Sequence, residues 1–501
     1  MHNLYHHIER ATPARRDRAL LTTDNGRVIT WDELHARTAS YARLLLDCGL
    51  KSGDRVAAQV DKSPESLFLY LACLRAGLAY LPLNTAYQRG ELAHFLGDAE
   101  PRIVVGRPGS VSELGALAAG ARVFSLDDAG NGTLRAAAAS QSESFETRAV
   151  ASDDLAAIIY TSGTTGRSKG AMVTHGNLVS NAQALVQCWG FDGGDVLLHA
   201  LPVFHVHGLF VANHCVLLSG ASMLWHAKFD ARRVLEDLPR ATVLMGVPTF
   251  YTRLLAESGF DKAVADHVRL FVSGSAPLLL DTFEAFERRT GQRILERYGM
   301  SEAGMITSNP LSGERRGGTV GLPLPGVAVR VADEHDRSLP VGEVGGIQIK
   351  GPNVFKGYWR MPDKTREEFT ADGWFRTGDV GRLDRDGYLV IVGRAKDLII
   401  SGGYNVYPKE VELAIDAIAG VAESAAVGLP HPDLGEGVTA AVVLRPGAQL
   451  TEADIVRRLR GELAGYKVPK RVFVVSELPR NAMGKVQKNV LREQYRSTFT
   501  G

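Results

Sequence analysis

Cysteine is scarce in this sequence: 501 residues contain four, Cys48, Cys73, Cys188 and Cys215. No two of them form a C-x-x-C pair, so neither a zinc cluster nor a disulfide framework is expected. Free thiols in a reducing compartment are the simplest reading. An excess of charge of one sign is also missing. The 57 basic residues face 56 acidic ones, for a net charge of +1. That balance leaves no global field for nucleic acid or an anionic membrane surface, so neither partner is expected. An anionic ligand has to be held by a local site. Long apolar runs are absent too. The longest, Leu209–Trp225, is interrupted by Asn213 and His214 and reads as a buried segment rather than a membrane span. The N-terminal stretch MHNLYHHIERATPARRDRA has no apolar core of the signal-peptide type and carries Glu9 and Asp17. A cytoplasmic location is expected.

What is present is an ordinary globular composition, 45% hydrophobic and 23% charged. The length suggests about two to four folding units. Along the first 150 residues, helical and extended patterns alternate. Trp31–Cys48 has helical spacing with Thr30 as its cap and Gly49 after it. Arg55–Val60 reads as a strand, Pro64–Ala76 as a helix and Ala79–Leu83 as a strand. Ala116–Glu146 is rich in Ala, Gly and Ser, and its second half reads as a surface loop. The texture changes near residue 395. Asp386-Gly387 is a hairpin turn signal ahead of the strand Tyr388–Val392. Beyond Lys396 come a helix (Pro408–Ala419), strands (Ala425–Leu429 and Val438–Leu444), a helix (Glu452–Leu463) and a strand (Arg471–Val475). The expected fold is therefore α/β and α+β. A large N-terminal domain of layered mixed sheets with helices, residues 1–395, precedes a small α+β domain, residues 396–501.

The segment Tyr160–Gly170, YTSGTTGRSKG, concentrates the chemistry. It follows an apolar strand, Leu155–Tyr160, and precedes a helix opening near His175. Glycines let a backbone approach an anion closely. Exposed amides, hydroxyls and Lys169 can then surround phosphate oxygens. The spacing is not that of a Walker A loop.

YTSGTTGRSKG resembles the phosphate-binding loop of the acyl-adenylate-forming superfamily. Ser273–Leu278 (SGSAPL), Tyr298–Glu302 (YGMSE), Thr377–Asp379 (TGD), Gly393–Asp397 (GRAKD) and Pro479–Lys485 (PRNAMGK) follow in the family's order. Within that superfamily the chain most resembles the acyl-CoA synthetases, and among them the malonyl-CoA synthetases. The resemblance implies a ligase that uses ATP, Mg²⁺ and coenzyme A. It assigns ATP contacts to Thr161, Ser162, Gly163, Thr164, Thr165, Gly166 and Lys169 in the loop. It adds Gly274, Ser275 and Ala276, then Glu296, Arg297, Tyr298, Gly299, Met300 and Ser301. Asp379 and Arg394 belong at the ribose. Glu302 is the implied Mg²⁺ ligand, with Thr165 beside it, and Mg²⁺ characteristically takes one or two carboxylates plus phosphate oxygens. Lys485 is the implied adenylation lysine. Its ammonium answers the negative charge that builds up when a carboxylate attacks the α-phosphorus. Lys396 is the implied hinge of a mobile small domain, and Gly402-Gly403 the passage for pantetheine.

Substrate choice rests on fewer residues. His205, Val206 and His207 follow a predicted strand, where residues two apart face one side. No further ligand is nearby, so zinc is not expected. The resemblance places all three in the acyl pocket with Met305, and brings His207 towards the reacting carboxylate. Arg253, at the start of a predicted helix, lies in the family's acyl-pocket segment. With Ser275 it is expected to clasp a second carboxylate as a buried cation. The expected substrate is malonate, with methylmalonate accepted, and the expected assembly is a monomer or weak homodimer. The alternatives are a CoA ligase for another short acid and, more remotely, a non-catalytic AMP-binding sensor.

Overall fold

The structure is a computed structural model that describes residues 2–161, 168–402, 404–481 and 484–499. The chain divides into two compact units, residues 1–328 with 349–375, and residues 329–348 with 376–501. The expected boundary at 395/396 falls inside the second unit, between its two sheets.

The first unit contains a nine-stranded and a six-stranded sheet. The interior of the larger sheet is parallel: Leu295–Met300, Leu270–Ser273, Val243–Gly246, Val196–His199, Ser222–Trp225 and Ala19–Thr23 lie side by side in that order. Apolar runs such as Val243–Gly246, buried at all four positions, are what a sheet covered on both faces requires. The helix Pro64–Arg75 is buried along its whole length. Ser63 and Ser66 form its capping box and Pro64 opens its first turn. The expected helices and strands of the first 83 residues are present within a residue at their ends; the helix expected over Trp31–Cys48 closes at Asp47 with Cys48 as its C-cap. One expectation is corrected. The segment read as a surface loop contains the helix Thr133–Ala138, because Leu134 and Ala138 stand four apart and bury one face.

The second unit has a four-stranded sheet ending in the hairpin Phe375–Leu383/Leu389–Arg394 and a five-stranded sheet. The five-stranded sheet pairs Val421–His431 antiparallel and Arg471–Val475 parallel to Gly435–Leu444. The helices Pro408–Asp416 and Glu452–Glu462 supply Val411, Ile415, Ile455 and Leu459 to its core. Among the described residues no helix is long and apolar enough to cross a membrane.

An ion pair between a half-buried arginine and a buried aspartate ties the parallel strands together at one end. Asp195, Thr242 and Arg269 each stand immediately before one of three neighbouring strands. The Arg269 guanidinium donates to both oxygens of Asp195, at 2.8 and 2.6 Å. The Thr242 hydroxyl donates to the same carboxylate at 2.6 Å and the Asp192 amide at 3.1 Å. Burial alone would raise the Asp195 pKa, but these donors outweigh it and hold the group below its ordinary value of 3.8. With the native pKa depressed, the stabilisation is complete above that ordinary value and is lost as pH falls through the lower native one. We expect Asp195→Asn to reduce unfolding free energy by about 2–3 kcal/mol at neutral pH, with the deficit vanishing in acid. Urea titrations followed by tryptophan fluorescence test this, since Trp189 accepts from Arg269 through its carbonyl at 2.9 Å.

Candidate active site

The strands pinned at their N-terminal ends open at their C-terminal ends into loops, where parallel sheets place ligands. Ser273 ends one strand, and Gly274 and Ser275 follow it. The next strand, Leu295–Met300, carries Glu296, Arg297, Tyr298, Gly299 and Met300. The YGM triplet is strand, and only Ser301–Ala303 form the turn. Register places Ser273 opposite Glu296. Arg297 then lies against Gly274, where a Cβ would come within 2.4 Å of the guanidinium carbon. Glycine at 274 leaves room for the guanidinium in this position.

Arg297 is 3% exposed, and its Nε and Nη2 have no hydrogen-bond partner. Burial pushes its pKa down to about 9, so it remains a cation at neutral pH. The adjacent Glu296 is also buried, and its carboxylate accepts from the Leu278 amide at 3.0 Å, which ties down the loop after Gly274. Two further buried polar atoms without partners, Ser273 Oγ and His207 Nε2, belong to the same neighbourhood. His207 Nδ1 lies 3.3 Å from the Ser275 hydroxyl. Burial first, then the charge of Arg297 and the rings of His205 and His199, keep the His207 pKa well below its ordinary value. His207 is therefore a neutral imidazole with one nitrogen left for a ligand. Ser275 adopts φ +71°, a conformation that non-glycine residues rarely hold outside functional loops.

Two sequence expectations are corrected at this point. His205, Val206 and His207 do not lie on an extended segment. His207 opens a π-helix, His207–Ala212, and its amide donates to His205 Nδ1 at 3.3 Å. Arg253 is exposed and stands in the last turn of the helix Pro248–Ala256. Phe250, Tyr251 and Leu254 define the buried arc of that helix, and Arg253 falls outside it. The enclosed cation of this neighbourhood is Arg297.

A second cluster surrounds Glu302, which is 7% exposed. The Tyr358 hydroxyl donates to Glu302 Oε1 at 3.2 Å, and Lys169 Nζ lies 4.6 Å from the Tyr358 ring centroid. Tyr358 thus joins the end of the glycine-rich loop to the carboxylate, a role that no sequence motif signalled. A single enclosed carboxylate beside a cation-bearing loop suits Mg²⁺ carried in by a nucleotide, as the ion needs few protein ligands. Among the described residues no group of three His, Cys, Asp or Glu side chains could hold a metal alone. Val206, Ser301 and Glu302 line one internal cavity, and Met305 is buried, its amide and carbonyl both held by Asn181. Thr161 and Ala276 are half-buried. Ser162, Gly163, Thr164, Thr165 and Gly166 lie outside the described residues, as does Gly403.

In the second unit Asp379 and Arg394 face each other across the hairpin, with Arg394 Nε 3.0 Å from Asp379 Oδ1. Asp379 is buried and Arg394 exposed. Lys396 is exposed in the short helical turn that follows. Gly402 has φ +59°. Lys485 is exposed on a loop closed by Asn481, whose side chain accepts from the Lys485 amide at 3.0 Å. Within this unit Asp379 and Arg394 come together, while Lys485 stands on a separate loop of the chain.

Comparison with known proteins gives a consistent picture. The family model of AMP-binding enzymes matches residues 8–359, and that of the AMP-binding enzyme C-terminal domain matches residues 410–485. The chain is 37% identical over 480 residues to the malonate–CoA ligase of Arabidopsis thaliana, covering 89% of this chain and 78% of that protein. It is 36% identical over 491 residues to a feruloyl-CoA synthase of Amycolatopsis sp, covering 96% and 98%. The crystal structure of ATP-bound MatB from Rhodopseudomonas palustris matches with a TM-score of 0.98 at 54% identity, over 99% of each chain.

An enclosed cation without a partner costs stability that an apolar side chain of similar length does not. We expect Arg297→Met to stabilise the ligand-free protein by about 1–3 kcal/mol, measured by urea denaturation. A destabilised variant would mean that Arg297 is satisfied in the free protein.

Proposed function

We propose a reaction from this premise: the chain belongs to the AMP-binding enzyme family. The reaction is malonate + ATP + CoA giving malonyl-CoA + AMP + diphosphate. The observation that carries the choice of acid is the buried Arg297 guanidinium beside Ser275 and His207, with Nε and Nη2 lacking a hydrogen-bond partner. A monocarboxylic acid with an apolar tail would leave that cation buried and unsatisfied. An acid with a second carboxylate supplies the missing acceptor. Sites built for a polar group reject analogues that lack it by about 10⁴–10⁵. The reading therefore favours the activity named for the Arabidopsis thaliana relative over that named for the Amycolatopsis sp relative.

In this reading ATP is held by Thr161–Lys169, Gly274–Ala276, Tyr298–Ser301, Asp379 and Arg394. Mg²⁺, held by Glu302 with phosphate oxygens, supplies charge neutralisation when bound. Arg297 takes the far carboxylate of malonate, Arg253 assists from the adjoining helix, and Val206 and Met305 flank the central carbon. The neutral His207 donates a ring N–H to the near carboxylate without repelling Arg297. The near carboxylate attacks the α-phosphorus and diphosphate leaves, with Lys485 compensating the charge that develops. The CoA thiolate then attacks the acyl carbon and AMP leaves. Lys396 is assigned the hinge between the two half-reactions, and Gly402 with Gly403 the path of pantetheine. A cytoplasmic monomer or weak homodimer, with no membrane or nucleic-acid partner, completes the reading.

A panel of acids assayed for CoA-dependent AMP release tests the choice of substrate. Malonate should be fastest, methylmalonate slower and acetate very poor. Acetate or a fatty acid outpacing malonate would refute the reading. Arg297→Met and Arg253→Met should each lower the preference for malonate over acetate while leaving the KM for ATP in place. An unchanged acid ranking in either variant removes that residue from acid recognition. Lys485→Ala should slow adenylate formation by about 10²–10³, read as acid-dependent pyrophosphate exchange.

A further inference from the structure

A second enclosed basic side chain, Lys62, lies in the first unit, and the proposed reaction does not use it; burial pulls its pKa well below the ordinary value of 10.5. Lys62 follows the strand Arg55–Gln59 and precedes Ser63, the cap of the buried helix. Its Nζ donates to His199 Nδ1 at 2.8 Å and to the His199 carbonyl at 2.7 Å, and lies 4.3 Å from the Trp225 ring centroid. Among the described residues no carboxylate pairs with it. His199 ends the strand Val196–His199, which Asp195 pins at its other end. On the far side of the ring, His199 Nε2 lies 3.0 Å from the Gly208 carbonyl. A carbonyl only accepts, so Nε2 carries the proton, and Nδ1 is the acceptor for Lys62. Burial first, then the charge of Lys62, keeps this ring neutral. His226 also faces the pair, with its own Nε2 3.0 Å from Asp237, and Asp24 acts on Lys62 from further away.

Gly208 is the second residue of the π-helix that His207 opens. The backbone is crowded there: a Cβ on Gly208 would sit 2.1 Å from the Pro202 carbonyl oxygen. A π-turn has wide, weak internal bonding and recurs at functional sites. Its entry needs outside support, and the His199 imidazole provides it one residue from His207.

We propose that Lys62 and His199 are positioning residues for His207: the chain Lys62–His199–Gly208 fixes the entry of the π-helix and so the place of the imidazole beside Ser275. This rests on the reading of His207 as an acyl-pocket residue. It gives a role to a lysine that is buried at a cost in stability. A neutral imidazole bonded on both nitrogens has one tautomer and one orientation, and the lysine selects them. Without the donor, His199 can turn or change tautomer, and Gly208 loses its hold.

Lys62→Met keeps the length and the contact with Trp225 but removes the donor. Steady-state kinetics should show the KM for the acid raised about 10- to 100-fold, with the KM for ATP within about twofold of the unmodified enzyme. A lysine that merely stabilises the fold would lower the active fraction and leave both KM values unchanged, and that result overturns the proposal. So does a parallel rise in both. The acid used is the fastest of the panel with unmodified enzyme, so a wrong choice of malonate appears there and not in the ratio of variant to parent. A second measurement needs no variant. In ¹⁵N-histidine spectra of the intact protein, His199 should remain a neutral Nε2–H tautomer between about pH 6 and 9. An Nδ1–H tautomer or an imidazolium at neutral pH overturns the proposal.

Discussion

A buried guanidinium with donors left unmet is expensive, and the candidate site contains one, since Nε and Nη2 of Arg297 have no hydrogen-bond partner. Arg297 sits on a strand whose neighbour presents Gly274, so the cation packs against backbone with no side chain in the way. The nearest acid in sequence, Glu296, accepts from the Leu278 amide and acts on Arg297 through its charge. The same charge helps to hold His207 neutral. Burial and this charge together keep the neighbouring imidazole neutral and leave polar atoms that a ligand can satisfy.

That condition depends on how the parallel sheet is anchored. Asp195, Thr242 and Arg269 tie the N-terminal ends of three strands through one carboxylate. The opposite ends of those strands carry His199, Gly246 and Ser273, leading into the loops that hold the polar cluster. Stability is concentrated at one edge of the sheet and chemistry at the other, the usual division in parallel sheets. Lys62 and His199 extend the anchoring to the π-helix, an element too irregular to be placed by its own hydrogen bonds.

Much of this was legible in the residue order. The capped helix Pro64–Arg75, the hairpin around Asp386-Gly387 and the strand Arg471–Val475 follow from spacing and turn chemistry that act over a few residues. The glycine-rich loop, YGMSE, TGD and PRNAMGK identified the family because each is a contiguous string. Local patterning failed where packing decided. Ala-rich sequence around Leu134 resembled a loop, yet two apolar residues four apart were enough to fold it as a helix. His205 and His207 looked strand-like, but the chain turns into a π-helix there.

The sequence by itself determined the family, the order of the elements and the kinds of side chain available to bind phosphate, metal and acid. Those properties reside in short strings and in periodicity. It did not determine which arginine would be enclosed: the resemblance put Arg253 in the acyl pocket and Arg297 among the ATP contacts, and both carry the same charge. Only the tertiary structure decided, because burial depends on which helix face meets the core and on a glycine opposite, 23 residues before Arg297. The link from Lys62 to His199 spans 137 residues. No local pattern records it, since the geometry that makes the bond exists only once two strands and a helix have packed.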